Sequence, residues 1–168
     1  MDLKKTDLFL IIGLLTFGVL LLFSMKLIEN LTATGNTYAQ VFYQDELILM
    51  IDLNSNEYKI YDTIFQDQID ATRSEEGIFY VPGSVTSDMT DLYAIDTYAK
   101  DHLIIGIKLL VENGKISVVY QESPKDICEL QSPTDSSLNP IVCLPNELII
   151  NISKTIPSGE FIPDAVLR

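Results

Sequence analysis

The sequence predicts a mainly β domain carried behind an N-terminal transmembrane helix. Three observations lead there: an uncharged apolar run at 8–25, a later series of short apolar runs split by turn residues, and two such runs joined by Asn113-Gly114. The 8–25 run, LFLIIGLLTFGVLLLFSM, spans roughly 27 Å as a helix, close to the thickness of a bilayer core. It is longer than the apolar region of a secretory signal, and the stretch LTATGNTYAQ after it offers poor cleavage sites. An uncleaved anchor spanning about 8–28 is therefore expected, within a segment 1–29 that also holds a short cytoplasmic stub.

Lys4, Lys5 and the terminal amine precede the run, and Lys26 follows it. The positive-inside bias predicts a single-pass cell-membrane protein with a cytoplasmic N-terminus and an extracytoplasmic main domain. In 1–29 the three lysines cancel Asp2, Asp7 and Glu29, so the net charge of -13 belongs to residues 30–168. Such a surface repels nucleic acid and anionic headgroups, and no Lys/Arg cluster offsets it. No nucleic-acid partner is expected.

Residues 30–37 read as a polar linker and 38–153 as the β domain. Runs at 38–43 and 47–53 are separated by Gln44-Asp45-Glu46, and N-S-N-E at 54–57 leads into Y-K-I-Y, the pattern of a meander. Residues 84–101 combine helical spacing of Met89, Leu92, Tyr93, Asp96 and Ala99 with many acids, which fits a short helix or an ordered loop equally. The run 103–111, with Gly106 marking a bend or bulge, pairs with Ile116 to Tyr120 across Asn113-Gly114, whose residues tolerate the positive φ of a type I′ turn. Ile116, Val118 and Tyr120 are expected on one buried face. The tail 154–168, with Pro157, Gly159 and Pro163, reads as irregular.

Cys128 and Cys143 are the chain's two cysteines. A bond between them closes a loop of roughly 15 residues, worth about 3 kcal/mol on chain-entropy grounds. The loop's Ser132, Pro133, Asp135, Ser136, Ser137, Asn139 and Pro140 cannot build a core. In an oxidising compartment a structural disulfide is the expected state, with two free buried thiols or an exchanging redox pair as alternatives. Two cysteines and a distant His102 lack the paired spacing of a zinc site, so no metal is expected, and His102 is read as a surface hydrogen-bonding residue. One histidine and no G-x-S-x-G elbow leave no catalytic constellation. No G-x-G-x-x-G is present, so cofactor-binding residues are not assigned and no cofactor is expected.

The segments VENGKISVVY, SPKDIC and IVCLPNELIINI resemble the NusG domain II family, over roughly residues 38–152, with C-L-P-N the most specific part. The resemblance places Pro124, Cys128, Cys143, Leu144, Pro145 and Asn146 on the family motif and implies a small β-barrel-like or sandwich-like domain. Ser123 stands where family members often carry cysteine, and Gln131-Ser132 where they carry a glycine-aromatic pair. Those departures speak against a three-cysteine metal or cluster role. Stand-alone members of the family imply an association with flavin- and quinone-linked electron transfer. The expected function is a non-catalytic binding or assembly module with a protein partner in a membrane complex. A thiol-disulfide or electron-transfer accessory using Cys128 and Cys143 is the alternative.

Overall fold

In the computed structural model, residues 5–31, 36–125 and 127–154 are described. The expected tail 154–168 falls outside them except for Lys154, as do residues 32–35 of the expected linker 30–37, whose first two residues belong to the N-terminal helix. The chain divides into two units, Met1–Thr34 and Gly35–Arg168.

The first unit contains helix α1 (Lys5–Leu31), along which Phe9, Leu14, Phe17 and Leu22 are exposed. Among the described residues no helix is long and apolar enough to cross a membrane. This overturns the expected transmembrane anchor, the single-pass membrane location and the extracytoplasmic placement of the β domain. The oxidising compartment inferred from that topology falls with it, so the pairing of the cysteines rests on geometry alone.

The second unit is built from two antiparallel sheets. The first has β1 (Tyr38–Tyr43), β2 (Glu46–Asp52), β3 (Tyr58–Ile60), β7 (Ile141–Cys143) and β8 (Leu148–Ser153), in the order β3-β2-β1-β8-β7. The second has β4 (Ile78–Val81), β5 (Ile107–Glu112) and β6 (Lys115–Tyr120), in that order. Hydrogen-bonded strand pairing stays within each sheet, so of the expected barrel-like or sandwich-like forms the barrel is not made. The mainly β composition stands; the closed architecture does not.

Chain-end chemistry explains the reversals. Gln44 and Asp45 take φ of 49° and 64° between β1 and β2, and Asn113 and Gly114 take 53° and 73° between β5 and β6. Paired positive φ values match the twist of the flanking strands, which types I and II do not. A Cβ at Gly114 would meet Asn54 Oδ1 at 3.8 Å, an ordinary contact, so Gly114→Ala carries the left-handed strain alone. We expect a loss of about 1 kcal/mol, measured by denaturant unfolding.

One core joins the sheets. It contains Ala39, Val41, Leu49 and Ile51 from β1 and β2, Leu148 and Ile150 from β8, and Phe79, Val81, Leu109, Ile116 and Val118 from the second sheet. The opposite face of the second sheet carries Ile78 and Tyr80, covered by Leu92 of α2 (Thr90–Ile95) and Ala99 of α3 (Thr97–Asp101). Alternation along β4 thus feeds two clusters, as a strand's period of two requires. Tyr120 departs from the expected single face. The register slips between Lys108 and Leu109, so that Lys108 faces Tyr120 while Leu109 faces Val118. The extra residue, Val119, turns Tyr120 into the second cluster.

The expected strand at 103–111 begins only at Ile107. Gly106 precedes it with φ 136°, and a Cβ there would lie 2.2 Å from the Val81 carbonyl oxygen. The segment 84–101 resolves into α2 and α3, broken at Asp96. That residue is extended, and its side chain accepts from the Ala99 N–H to cap α3.

Candidate functional site

The loop between the two cysteines closes the margins of both sheets. Cys128 and Cys143 are disulfide-bonded, with Cα atoms 5.5 Å apart, and are 2% and 0% exposed. β7 is the last strand of the first sheet, and a three-residue strand offers few backbone groups on its outer side. Those of Val142 are met by one side chain: Gln131 Oε1 accepts from Val142 N at 3.2 Å, and Gln131 Nε2 donates to Val142 O at 3.0 Å. Three residues on, Thr134 exchanges both backbone bonds with Ile116 of β6, the last strand of the other sheet, at 3.0 and 2.9 Å.

Internal hydrogen bonds organise the rest of this polar loop. Ser136 N donates to Thr134 Oγ1 at 3.2 Å, Leu138 N to Ser136 Oγ at 3.3 Å, and Asn139 N to Ser136 O at 3.1 Å. Short hydroxyl side chains of this kind substitute for a ladder by bonding nearby backbone. The segment needs no core of its own.

After Cys143 the motif continues as a 3-10 turn, Leu144–Asn146, with Pro145 inside it and Glu147 in the left-handed region behind it. The turn buries Asn146 completely, at 0% exposure. Asn146 Nδ2 donates to Gln121 Oε1 at 2.7 Å and Glu122 O at 2.9 Å, while its Oδ1 accepts from Val85 N at 2.9 Å. The strand exits after β4 and β6 are thereby tied to the β7–β8 turn. A Cβ at Gly83 would stand 2.8 Å from Asn146 Oδ1 and 3.1 Å from Ile107, so the exit of β4 requires glycine there. Leu144 and Pro124 are both exposed, Pro124 in the turn before Cys128.

A second network lies on the α2–α3 side of the second sheet. Asp96, 4% exposed, accepts from Tyr80 OH at 2.7 Å, from Lys108 Nζ, from Arg73 Nη1 at 3.3 Å and from Ala99 N at 3.2 Å. Burial disfavours the carboxylate, but the hydrogen bonds from Lys108, Tyr80 and Ala99 outweigh it and hold Asp96 down at about 2. Burial, and then its bond to Asp96, push the Tyr80 phenol well above its ordinary value. Arg73 is held above its ordinary value, first by its hydrogen bond to Glu76.

Because the folded value of Asp96 lies below the unfolded one, its contribution is complete above about pH 4 and disappears as pH falls through about 2. We expect acid titration to remove about 2 kcal/mol of stability across that window. Asp96→Asn should flatten the profile there, measured by urea unfolding at stepped pH.

An open groove of about 780 Å³ is lined by Tyr58, Ile60, Asp70, Gly83, His102 and Leu103 among others. His102 is exposed beside it. Its Nδ1 lies 2.9 Å from Tyr98 O, and its ring stacks on Tyr98 with centroids 4.0 Å apart. Tyr98 in turn stacks on Tyr80 and donates to Asp70 at 3.1 Å. Leu103 follows with φ 52° and 72% exposure. Among the described residues no group of three or more His, Cys, Asp and Glu side chains is placed to hold a metal ion.

The structure brings Cys128, Cys143 and Asn146 to one end of the first sheet and puts Asn113-Gly114 at the β5–β6 reversal. Three functional groups went unread in the sequence: Gln131 as a backbone mimic, the Arg73–Asp96–Lys108 cluster and the strained Leu103. The cluster's members are up to 35 positions apart in the chain, and no local pattern joins them. The sequence signal that could have found Asp96 is its place as a capping residue ahead of Thr97–Asp101.

These contacts define a class: a small two-sheet β domain whose margins are closed by a disulfide-tethered polar loop. Residues 85–155 match the model of the NusG domain II family, which bears out the resemblance carried by the cysteine motifs and C-L-P-N. The matched segment runs from before α2 through β8, and β1–β4 lie outside it. It is shorter than the span of roughly 38–152 expected from the motifs. No curated protein matches the chain. Among solved structures the chain is similar to a DUF1312 family protein from Ruminococcus gnavus ATCC 29149. The two are 16% identical, with 69% of this chain and 96% of that chain covered and a TM-score of 0.34. A likeness that distant carries no argument about this chain.

Proposed function

We propose that the β domain is a non-catalytic binding module that takes an apolar segment of a protein partner at the groove beside His102. The observation that carries this reading is Leu103. A leucine held at φ 52° bears a strain of about 1 kcal/mol that glycine would not, and its side chain recovers none of it by burial. Ile105, two residues on, is exposed as well. Leu103 takes this conformation because it closes α3, with Leu103 N donating to Lys100 O at 3.3 Å and Ile104 N to Ala99 O at 2.9 Å; that the position carries an exposed leucine rather than glycine supports a contact surface on the groove rim. The acidic chain, at -13, favours a partner whose apolar anchor has basic neighbours.

The chemistry-bearing side chains support the same reading, because Asp96, Lys108, Arg73, Tyr80 and Asn146 are spent on holding segments together. Thiol exchange is the weaker alternative. It needs a sulfur that a second thiol can reach, and both sulfurs lie in residues that are almost wholly buried. The link to flavin- and quinone-linked electron transfer enters only through the family resemblance, and no residue is assigned to it.

Leu103→Gly separates binding from folding. Glycine adopts φ 52° without strain, so the variant should be no less stable than the parent. Crosslinking and co-purification of the full chain should recover one specific partner, and recovery with Leu103→Gly should drop by about ten-fold, the loss of one buried leucine anchor. Recovery of the chain alone, or equal recovery with the variant, would overturn the proposal.

A further inference from the structure

We propose that the chain's own segment 155–168 folds back into the groove beside His102, seating Phe161 and Ile162 against Leu103 and Ile105, so that a protein partner must displace it to bind. The displacement step rests on the binding-module reading, whereas the fold-back itself needs no partner.

The register of the first sheet puts the exit of β8 in line with the groove. Ile152 pairs with Ala39, Ala39 with Ile51, and Ile51 with Tyr58, so these residues form one row across β8, β1, β2 and β3. Tyr58 and Ile60 of β3 line the groove. Strand spacings of about 4.8 Å put Ile152 about 14 Å from Tyr58. The chain leaves β8 at Ser153, and about five extended residues, at roughly 3.3 Å each, cover that distance. Counted from Lys154 they end at Ser158, just ahead of Glu160-Phe161-Ile162-Pro163.

The groove presents apolar surface where that segment carries apolar side chains. Leu103 and Ile105 are 72% and 57% exposed on its wall. Its volume of about 780 Å³ lies within the range of roughly 300–1,000 Å³ usual for binding clefts. Pro157 and Pro163 bias Ile156 and Ile162 to extended backbone, so part of the ordering entropy is lost before docking.

Tethering decides the occupancy. A short linker holds the segment at an effective concentration of about 1 mM, so an affinity of only about 0.1 mM in free solution keeps the groove filled about ten-fold more often than empty. The electrostatic match is poor. Glu160 and Asp164 flank the apolar pair, while Asp67 and Asp70 line the groove and, among the described residues, no Lys or Arg does. Like charges weaken the contact, and a partner segment with basic neighbours meets attraction at the same place. The segment is therefore an occupant that such a partner displaces.

The test uses the full chain with p-benzoylphenylalanine in place of Ile105. Irradiation followed by trypsin, which cuts after Lys154, should join the peptide 101–108 to the peptide 155–168 of the same chain. The same probe in place of Ile95, which is 62% exposed on α2 and outside the groove lining, should not reach 155–168. Phe161→Asp combined with Ile162→Asp should cut the crosslink from position 105 by about ten-fold, the effect of losing a buried apolar anchor. Recovery of a partner by crosslinking and co-purification should rise by about ten-fold in the same double variant, because the groove is then free. No crosslink from position 105, an equal one from position 95, crosslinks that join two copies, or an unchanged crosslink in the double variant would each overturn the fold-back. A partner recovered equally from parent and double variant would overturn the displacement. Recovery of no partner at all, with the intramolecular crosslink intact, would instead overturn the binding-module reading and leave the fold-back standing.

Discussion

Replacing Cys128 and Cys143 together with alanine should lower the unfolding free energy by about 3 kcal/mol, with near-native structure retained below the urea transition. The bond closes a separation of 15 residues, and for a loop of that length the chain-entropy contribution is about 3 kcal/mol. Serine at the same two positions should cost more than alanine, because each hydroxyl would enter a site 2% or 0% exposed without a defined partner. All eight tyrosines lie between residues 38 and 120, so the near-UV signal follows the β domain alone. The check is the urea midpoint of oxidised parent, reduced parent and both double variants. A midpoint shift of less than a quarter of that expected would mean that Gln131 and Thr134 hold the margins without the bond.

How much of this was legible in the sequence depends on how local each cause is. The β1–β2 and β5–β6 reversals were readable because the turn residues sit between the runs they join. The cysteine pair was readable because two thiols admit one pairing. Asn146 could be placed on a family motif but not given a role, since its partners Val85, Gln121 and Glu122 lie 61, 25 and 24 residues away. Tyr120 was misplaced because a single-residue slip at Lys108 reverses which face a side chain takes, and nothing in alternating apolar residues marks a slip. The apolar run at 8–25 was read as a membrane span from length and charge, an inference the described part of α1 does not support. Gln131 was noticed only as a departure from the family pattern. Its mimicry of a strand depends on where β7 lies in the sheet, a property of the topology.

Asn146→Ala should cost about 4 kcal/mol, more than loss of the disulfide. The removed carboxamide makes three hydrogen bonds in a site with no exposure, and its deletion leaves Val85 N–H and Gln121 Oε1 facing a cavity. A buried group left without a partner costs about 1–3 kcal/mol, and two such groups dominate the total. Asn146→Asp keeps the shape and the acceptor for Val85 N but turns a donor into a carboxylate oxygen against the acceptors Gln121 Oε1 and Glu122 O. Burial and that opposition raise the new group above the ordinary carboxylate range, because its charged form is the disfavoured one. A raised folded-state value gives stability that is present at low pH and lost as pH rises through it. Asn146→Asp should therefore gain stability on going from pH 7 to pH 5, above the window in which Asp96 protonates, while Asn146→Ala should not. Urea midpoints at the two pH values separate the cases, and a flat response in Asn146→Asp would mean that its side chain leaves the buried position, so that the C-L-P-N turn does not clamp the two strand exits.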